Sequence, residues 1–226
     1  MKKKILSVLL VLMLLLCTTA MGAGKLKITD MNLILYSGKD SGYFYAKVEN
    51  IGDAPVGVGY GDLVLFSENG DILLTESYVT TSPSNAVLQP GEYLYVEEYL
   101  WGDALKTTPV GEYKFSIPVR DRATEMTQIP CEATFELSGD KYDNYIYVTF
   151  TNTTDTPRYD FYVTAALYDA EGELIFVDSN ILSSIAVHPG ATLTVRMYID
   201  SSMIEEYWAN DIVPTSIDAI VCFLND

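Results

Sequence analysis

The residues that could carry catalysis in this chain are few. His188 is the single histidine of the 226 residues, and it precedes Pro189 and Gly190, a pair typical of an exposed turn. A Ser-His-Asp or Cys-His mechanism would have to use this one residue, and no Gly-x-Ser-x-Gly motif surrounds any serine. Zinc patterns and glycine-rich phosphate loops are also missing from the sequence. We therefore expect a protein that is not an enzyme and that needs no cofactor and no metal.

Carboxylates are the one abundant chemical group, with 31 Asp and Glu against 14 Lys and Arg. Two carboxylates across a cleft can hydrolyse a glycosidic bond, and the alternating Asp169, Glu171 and Glu173 could offer oxygens to calcium. Spacing alone defines no cleft, and the run lacks the twelve-residue calcium-loop pattern, so we assign neither role. The net charge of −17 argues against nucleic acid as a partner, because phosphate binding needs clustered cations.

The N-terminus has the features of a secretory signal peptide, which we assign to residues 1–23. Three lysines at positions 2–4 precede an apolar run over residues 5–16, and small residues follow. The run is too short to span a bilayer, so no integral membrane anchor is expected. We predict a protein that is secreted or held in the cell envelope, with 11 Lys and Arg against 31 Asp and Glu, a net charge of −20, after the leader is removed.

The rest of the chain contains a tandem repeat. At an offset of 102 positions, YFYAKVEN at residues 43–50 matches YIYVTFTN at 145–152, and LFSENGDILLTES from Leu65 matches LYDAEGELIFVDS from Leu167. After a three-residue deletion, QPGEYLYVEEYL at 89–100 matches HPGATLTVRMYI at 188–199. Solenoids need three or more units, so two copies indicate a duplicated domain.

Each copy alternates apolar and polar residues with a period of two, which predicts half-buried strands separated by Gly and Pro turns. The predicted fold class is all-β, with two tandem immunoglobulin-like antiparallel β-sandwiches, residues 24–118 and 131–226, joined by a linker at 119–130. Asn69-Gly70 predicts a type I′ hairpin turn. Ser202 and Glu205 form a capping box that predicts one helix over residues 203–209.

Cys131 and Cys222 are the only cysteines after the leader. They fall in the first and last strand-like segments of the second copy. Two cysteines in an exported chain can form a disulfide, which would constrain the unfolded state. Two buried free thiols are the alternative, and the sequence does not separate the two.

Five tyrosines are the candidate binding residues. If Phe44, Ala46 and Val48 point inward, the tyrosines of the two neighbouring strands share one outer face that suits recognition of proteins or sugar rings. The alternative is that they pack against cross-strand neighbours or against the other domain. The second copy has a weaker aromatic face at Tyr145, Tyr147 and Tyr198. The five candidates are Tyr43, Tyr45, Tyr93, Tyr95 and Tyr99.

The second copy resembles the FxLYD-type immunoglobulin-like domains of bacterial exported proteins. The resemblance rests on Phe161, on Leu167-Tyr168-Asp169 and on the HPGATLTVRMYI strand. The first copy is similar to bacterial immunoglobulin-like domains related to proteinase inhibitors, through VENIGDAPVGVGYGDLVLF and TPVGEYKFSI, although Val110 separates Pro109 from Gly111. These motifs imply a sandwich rather than an activity.

We therefore expect a secreted, non-enzymatic binding or adhesion module whose partner is a protein or glycan at the cell surface or outside the cell. Two alternatives remain open. One is a proteinase inhibitor that would insert residues 78–87, and the other is a carbohydrate-binding module that would use the tyrosines.

Overall fold

The computed structural model describes residues 23–225, and within that range the chain is mostly β-strand. Apart from Ala23, the predicted signal peptide lies outside the described residues. No helix in residues 23–225 is long and apolar enough to cross a membrane. The elements are β1 (Leu26–Leu35), β2 (Ser41–Asn50), β3 (Val56–Gly57), β4 (Gly61–Ser67), β5 (Ile72–Val79), β6 (Ala86–Leu88), β7 (Tyr93–Trp101), α1 (Asp103–Thr107), β8 (Val110–Ser116), β9 (Thr124–Ile129), β10 (Cys131–Glu136), β11 (Tyr145–Thr151), β12 (Phe161–Tyr168), β13 (Leu174–Leu182), β14 (Thr192–Tyr198), α2 (Ser201–Ala209) and β15 (Ser216–Leu224).

The two copies of the repeat form sheets with the same strand order. In the first half, β1–β2–β7 and β5–β4–β8 are the two sheets, and in the second half β10–β11–β14 and β13–β12–β15 occupy the matching positions. All pairs within these three-stranded groups are antiparallel. A short helix follows the third strand of the matching sheet in each half, α1 after β7 and α2 after β14. The duplication in the sequence is therefore also a duplication of topology.

The period-two pattern correctly identifies the core residues. Phe44, Ala46 and Val48 on β2 are fully buried, and they belong to one apolar cluster with Leu63 and Leu65 of the opposite sheet. In the second half the matching residues of β11 are buried in the same way: Ile146, Val148 and Phe150. Burying these faces is the main stabilising contribution to each half.

The two echoed hairpins use the same turn, but it is not the predicted type I′ turn. That turn needs positive φ at both central residues, whereas in Asn69-Gly70 only Gly70 has positive φ, at 86°. The amide of Gly70 donates to the carbonyl of Ser67, and the amide of Ser67 donates to the carbonyl of Asp71. This is a type I turn followed by one left-handed residue, and Gly172, with φ of 84°, closes the second hairpin in the same way.

The segment predicted as a linker, residues 119–130, contains strand β9. Its register runs antiparallel to β15 of the second half and parallel to β6 of the first half, and β6 pairs with β3. The outcome is a continuous six-stranded sheet, β13–β12–β15–β9–β6–β3, with strands from both halves. Met126 and Ile129 of β9 are buried but are three positions apart, so they show no period of two. The domain limits 24–118 and 131–226 stay a prediction.

Helix α2 confirms the predicted helix but not its predicted cap. The helix begins at Ser201, and the side chain of Asp200 accepts a hydrogen bond from the backbone amide of Ser202 at 2.7 Å. Asp200 is therefore the N-cap, in the usual capping geometry in which a side-chain oxygen satisfies an amide of the first turn.

The structure has no disulfide between Cys131 and Cys222, and both are free thiols. The thiol of Cys131 lies 3.5 Å from the carbonyl oxygen of Ala219, three residues before Cys222 on β15. Cys222 is buried, and burial raises the pKa of its thiol to about 12. The alternative of two buried free thiols is therefore confirmed for the free thiols and for the burial of Cys222, whereas Cys131 is only partly buried.

A buried asparagine stabilises the same loop in both halves. The side-chain amide of Asn50 donates to the carbonyls of Ala54 and Leu88, at 2.8 and 3.0 Å. Asn152 lies 102 positions later, and its amide donates to the carbonyls of Thr156 and Val187, at 3.1 and 2.7 Å. Both asparagines are fully buried, and each makes one buried bond, to the carbonyl of Leu88 or Val187, that satisfies a backbone acceptor inside the protein.

We expect Asn152→Ala to lower the free energy of unfolding by about 2–4 kcal/mol, because it leaves the buried carbonyl of Val187 and the partly buried carbonyl of Thr156 without their donor. Urea unfolding followed by tryptophan fluorescence measures the change. Asn180→Ala, an exposed asparagine on β13, is the matched control and should change stability by less than about 0.5 kcal/mol. Equal stability of the two variants would contradict the structural role of Asn152.

Candidate functional site

The structure brings the five candidate tyrosines together on the sheet β1–β2–β7, as predicted. The rings of Tyr43 and Tyr45 are stacked with centroids 5.7 Å apart, and Tyr93 and Tyr95 make an edge contact at the same distance. Tyr99 lies 5.3 Å from Tyr43. The five rings therefore form two contact groups on one sheet, Tyr43 with Tyr45 and Tyr99, and Tyr93 with Tyr95.

The predicted exposure is wrong for four of these five tyrosines. Tyr45 and Tyr95 are 0% and 1% exposed, and Tyr43 and Tyr93 are only partly exposed. Tyr99 alone is clearly exposed, at 52%. The reason is that the second half covers this face, so packing against the other domain, the alternative interpretation, is what the structure shows.

One carboxylate of the second half is the centre of this contact. Oδ2 of Asp218, on β15, accepts hydrogen bonds from the hydroxyls of Tyr93 and Tyr95, each at 2.7 Å. It also pairs with Nζ of Lys47 at 3.3 Å. Because Tyr95 gives its proton to Asp218, the hydroxyl of Tyr168, 2.8 Å away, must donate to Tyr95. Three side chains from β2 and β7 therefore converge on Asp218, and Tyr168 of β12 is linked to it through Tyr95.

The electrostatics of Asp218 reflect these donors. Burial acts to raise the pKa of Asp218, but the hydrogen bonds from Tyr95 and Tyr93, together with Lys47, hold it below its usual value. Lys47 also lies 3.6 Å from the centroid of the Tyr93 ring, a cation–π contact. The carboxylate thus stays ionised at a partly buried position, because it is both paired and hydrogen-bonded.

Two further contacts extend the interface between the halves. The ring of Tyr45 lies 6.2 Å from that of Phe176 on β13, while its hydroxyl is buried without a hydrogen-bond partner. At the other end, the carboxylate of Glu206 on α2 accepts from the backbone amide and the hydroxyl of Ser37, at 2.8 and 2.7 Å. The contact therefore runs from Asp218 to helix α2.

Two partly buried carboxyl groups, those of Glu97 and Asp178, face the same interface. Burial first, and then the charges of Asp178 and Glu98, raise the pKa of Glu97 on β7 to about 8. Burial raises the pKa of Asp178 on β13 to about 6, although a hydrogen bond from the amide of Ser179 opposes the shift. Both groups therefore hold protons in the folded protein at pH values at which they are ionised in the unfolded chain.

The matching face of the second half, β10–β11–β14, carries a second aromatic group, in which Tyr198 is exposed and Tyr145 and Tyr147 are partly exposed. Tyr145 lies between Tyr147 and Tyr198, with ring centroids 6.3 and 6.1 Å apart. The guanidinium of Arg196 lies 4.7 Å from the centroid of Tyr145. Farther along the same strands, hydroxyl pairs Thr149–Thr194 and Thr151–Thr192 each lie at 2.8 Å. We call these residues of β11 and β14 the open face.

Differences between the two copies mark which face is covered. Lys47, Tyr93 and Tyr95 hold Asp218, and the repeat places Thr149, Thr192 and Thr194 at the matching positions of the open face. Asp218 itself matches Lys114, because Val64 and Ala166, their register partners, are 102 positions apart. Lys47, Tyr168 and Asp218 were not identified as contact residues from the sequence. The differences between the copies at Lys47 and Asp218 were the signal that could have identified those two.

The other predicted features are located as follows. His188 is exposed, and its carbonyl accepts from the amide of Ala191 in a turn. Within residues 23–225 no group of three or more His, Cys, Asp and Glu residues could hold a metal ion. In the segment 78–87, Thr81 is buried and its hydroxyl donates to the carbonyl of Pro83, while the amide of Ser82 donates to the carbonyl of Tyr95. The segment is held against β7 and is not a protruding loop.

Comparison with known proteins adds no family: no protein-family model matches the chain, and no curated protein matches it. The resemblance to FxLYD-type and inhibitor-related domains therefore stays a prediction.

We expect Asp218→Ala to lower the free energy of unfolding by about 2–4 kcal/mol, because Tyr93, Tyr95 and Lys47 lose their shared acceptor. Urea unfolding measures the change. Asp218→Asn keeps an acceptor oxygen and should cost less. Ser216→Ala, two residues away on the exposed part of β15, is the matched control, and a loss no larger than that of the control would show that the halves do not depend on Asp218.

We also expect stability to fall as the pH rises from about 4.5 to about 8. The folded protein keeps a proton on Glu97 up to about pH 8, whereas the unfolded chain loses it near pH 4.5, so the folded state binds more protons in this window. Each unit of pKa difference corresponds to about 1.4 kcal/mol. Asp178 adds to the fall up to about pH 6.

The variant Glu97→Gln should flatten most of this fall, since its side chain has no proton to release. Urea unfolding at a series of pH values measures the slope, with Glu132→Gln on exposed β10 as the control that keeps it. A slope that is the same in both variants would rule out Glu97 as its source.

Proposed function

We propose that the protein is an exported, non-enzymatic binding module of two tandem immunoglobulin-like sandwiches that holds its ligand on the open face. The observation that carries this proposal is the difference in solvent exposure between the two copies of one sheet face. In the first half Tyr45 and Tyr95 are fully buried by the second half, whereas in the second half Arg196 and Tyr198 are exposed, Tyr198 at 40%, and Tyr145 and Tyr147 are partly exposed.

The architecture supports the immunoglobulin-like part of the proposal. Each half has two three-stranded antiparallel sheets with alternating inward apolar residues, and the first half has a separate cluster between its sheets. Antiparallel sheets with one buried and one outward face are the basis of such sandwiches. Export rests on the N-terminal pattern of lysines, apolar run and small residues.

The chemistry of the open face suits binding rather than turnover. Tyrosine offers flat apolar area with a polar tip and loses little side-chain entropy when it is fixed. Arg196, stacked on Tyr145, makes no ion pair with any described residue, so its donors are free for a ligand. The threonine pairs add a row of hydroxyls. A protein surface or a glycan chain outside the cell or in its envelope fits this combination.

The inhibitor alternative gains no support from the structure. A substrate-like inhibitor must present an extended and accessible peptide, whereas the segment 78–87 is bonded to β7 and contains the buried residues Val79, Thr81 and Ala86. Carbohydrate is kept in this proposal as one ligand class of the open face.

The test is capture by the mature protein, from Gly24 onward, of cell-envelope fractions and of defined polysaccharides in affinity gels. Tyr145→Ser with Tyr198→Ser removes two rings from the open face, and we expect it to abolish capture because these rings supply most of the contact area. Circular dichroism and the urea midpoint establish that the variant is folded.

Tyr99→Ser is the matched control, because Tyr99 is exposed at the position of the first half that corresponds to Tyr198. Capture that is lost only in the open-face variant supports the proposal. Capture that is equal in all three proteins, or lost equally in both variants, would overturn the assignment to the open face.

A further inference from the structure

A cavity of about 310 Å³ lies at one end of the second half. It is formed where the connection between β11 and β12 meets the C-terminal end of β15. Connections at the ends of a sandwich are the usual place for binding sites, since the sheets hold them in position. The cavity uses none of the residues of the open face. It is lined by Pro157, Arg158, Tyr159, Asp160, Tyr162 and Leu224.

Arg158 is the cation of this cavity, and its donors are unused. Its guanidinium carbon lies 4.4 Å from the centroid of the Phe223 ring, which fixes the position of the group. Its Nε is buried without a hydrogen-bond partner, and no described carboxylate forms an ion pair with it. A buried donor without an acceptor is costly and is rare in folded proteins.

Asp160 is the anion of the same cavity, two residues away. It is exposed, and its backbone is in the left-handed region, with φ of 58°. Burial, followed by the charge of Asp160, raises the pKa of Tyr162, so the carboxylate and this tyrosine act on each other. Asp160 makes no ion pair with Arg158. The cavity thus holds two opposite charges that do not neutralise each other.

The first half shows that the fold does not require these charges. Val56 and Val58 stand 102 positions before Arg158 and Asp160 and are buried, at 4% and 0% exposure. Val56 pairs with Leu88 of β6, and Val58 bridges to Val119. Two apolar residues complete the structure at this position in one half, so an arginine and an aspartate beside a cavity in the other half need a separate explanation.

We propose that this cavity binds a small zwitterion of the α-amino acid class, with its carboxylate on Arg158 and its ammonium group on Asp160. A guanidinium offers parallel donors that match a carboxylate, and a free carboxylate accepts from an ammonium group. The volume is at the lower end of small-molecule sites. Tyr159 and Tyr162 provide ring surfaces for an apolar or aromatic side chain.

The test is isothermal titration of the full chain from Gly24 onward with the standard α-amino acids, starting with L-phenylalanine and L-leucine. Saturable binding of at least one of them at one site per chain is expected. For phenylalanine, 3-phenylpropanoate lacks the ammonium group and phenethylamine lacks the carboxylate, and each should bind about tenfold or more weakly, since a hydrogen bond to a charged group is lost.

Two variants locate the site. Arg158→Gln should weaken binding of the amino acid by about tenfold or more, because the carboxylate loses its charged donor. Asp160→Asn should remove the preference for the amino acid over 3-phenylpropanoate, and asparagine tolerates the left-handed backbone at this position. Asp155→Asn in the same loop and Arg196→Gln on the open face are matched controls that should leave affinity unchanged.

The proposal is overturned if no standard amino acid shows saturable binding, or if Arg158→Gln, shown by circular dichroism to be folded, binds as the parent does. The Tyr145→Ser, Tyr198→Ser variant should bind the amino acid normally. The amino-acid site in the cavity and the binding role of the open face are therefore tested independently.

Discussion

The ionised carboxylate of Asp218 is the contact on which the arrangement of the two halves depends. It accepts from Tyr93, Tyr95 and Lys47 of the first half, and Tyr168 is bonded to the same group through Tyr95. An ionised group is tolerated at this depth because its acceptor sites are filled by oriented donors. These hydrogen bonds are directional, so they fix one relative position of the halves. The apolar contact of Tyr45 with Phe176 is not directional and only favours association of the two surfaces.

This arrangement explains why two halves with matching sheet topology differ at their surfaces. The first half uses its aromatic face internally, so its tyrosines belong to the structure. The second half keeps the matching face free, with threonines at the positions of the docking residues and an arginine, Arg196, opposite Tyr147 in the strand register. Duplication supplied the same scaffold twice, and substitutions at a few strand positions separated a structural face from an accessible one.

Local patterns predict local structure in this chain, and long-range contacts lie beyond them. The alternation of Phe44, Ala46 and Val48 with tyrosines identified strands and core, and the repeat indicated matching topologies. No local signal joins Tyr93 to Asp218, which are 125 residues apart. The alternation predicts which side chains point away from the core of their own half. It does not predict whether another part of the protein packs against them. Strand β9 was not predicted for the same reason. Its position depends on pairing with β6 and β15 on either side, and its own residues show no period of two.

The six-stranded sheet that joins the halves has a consequence for how the chain folds. Strands β3 and β6 belong to the first half, yet the strands that complete their sheet, from β9 onward, come later in the chain. Domains fold as units in the order of synthesis where they are self-contained. Tyr45 and Tyr95 of the first half are covered by residues of β12, β13 and β15, which come later in the chain. A first half that has not yet packed against the second would therefore expose these two rings to solvent.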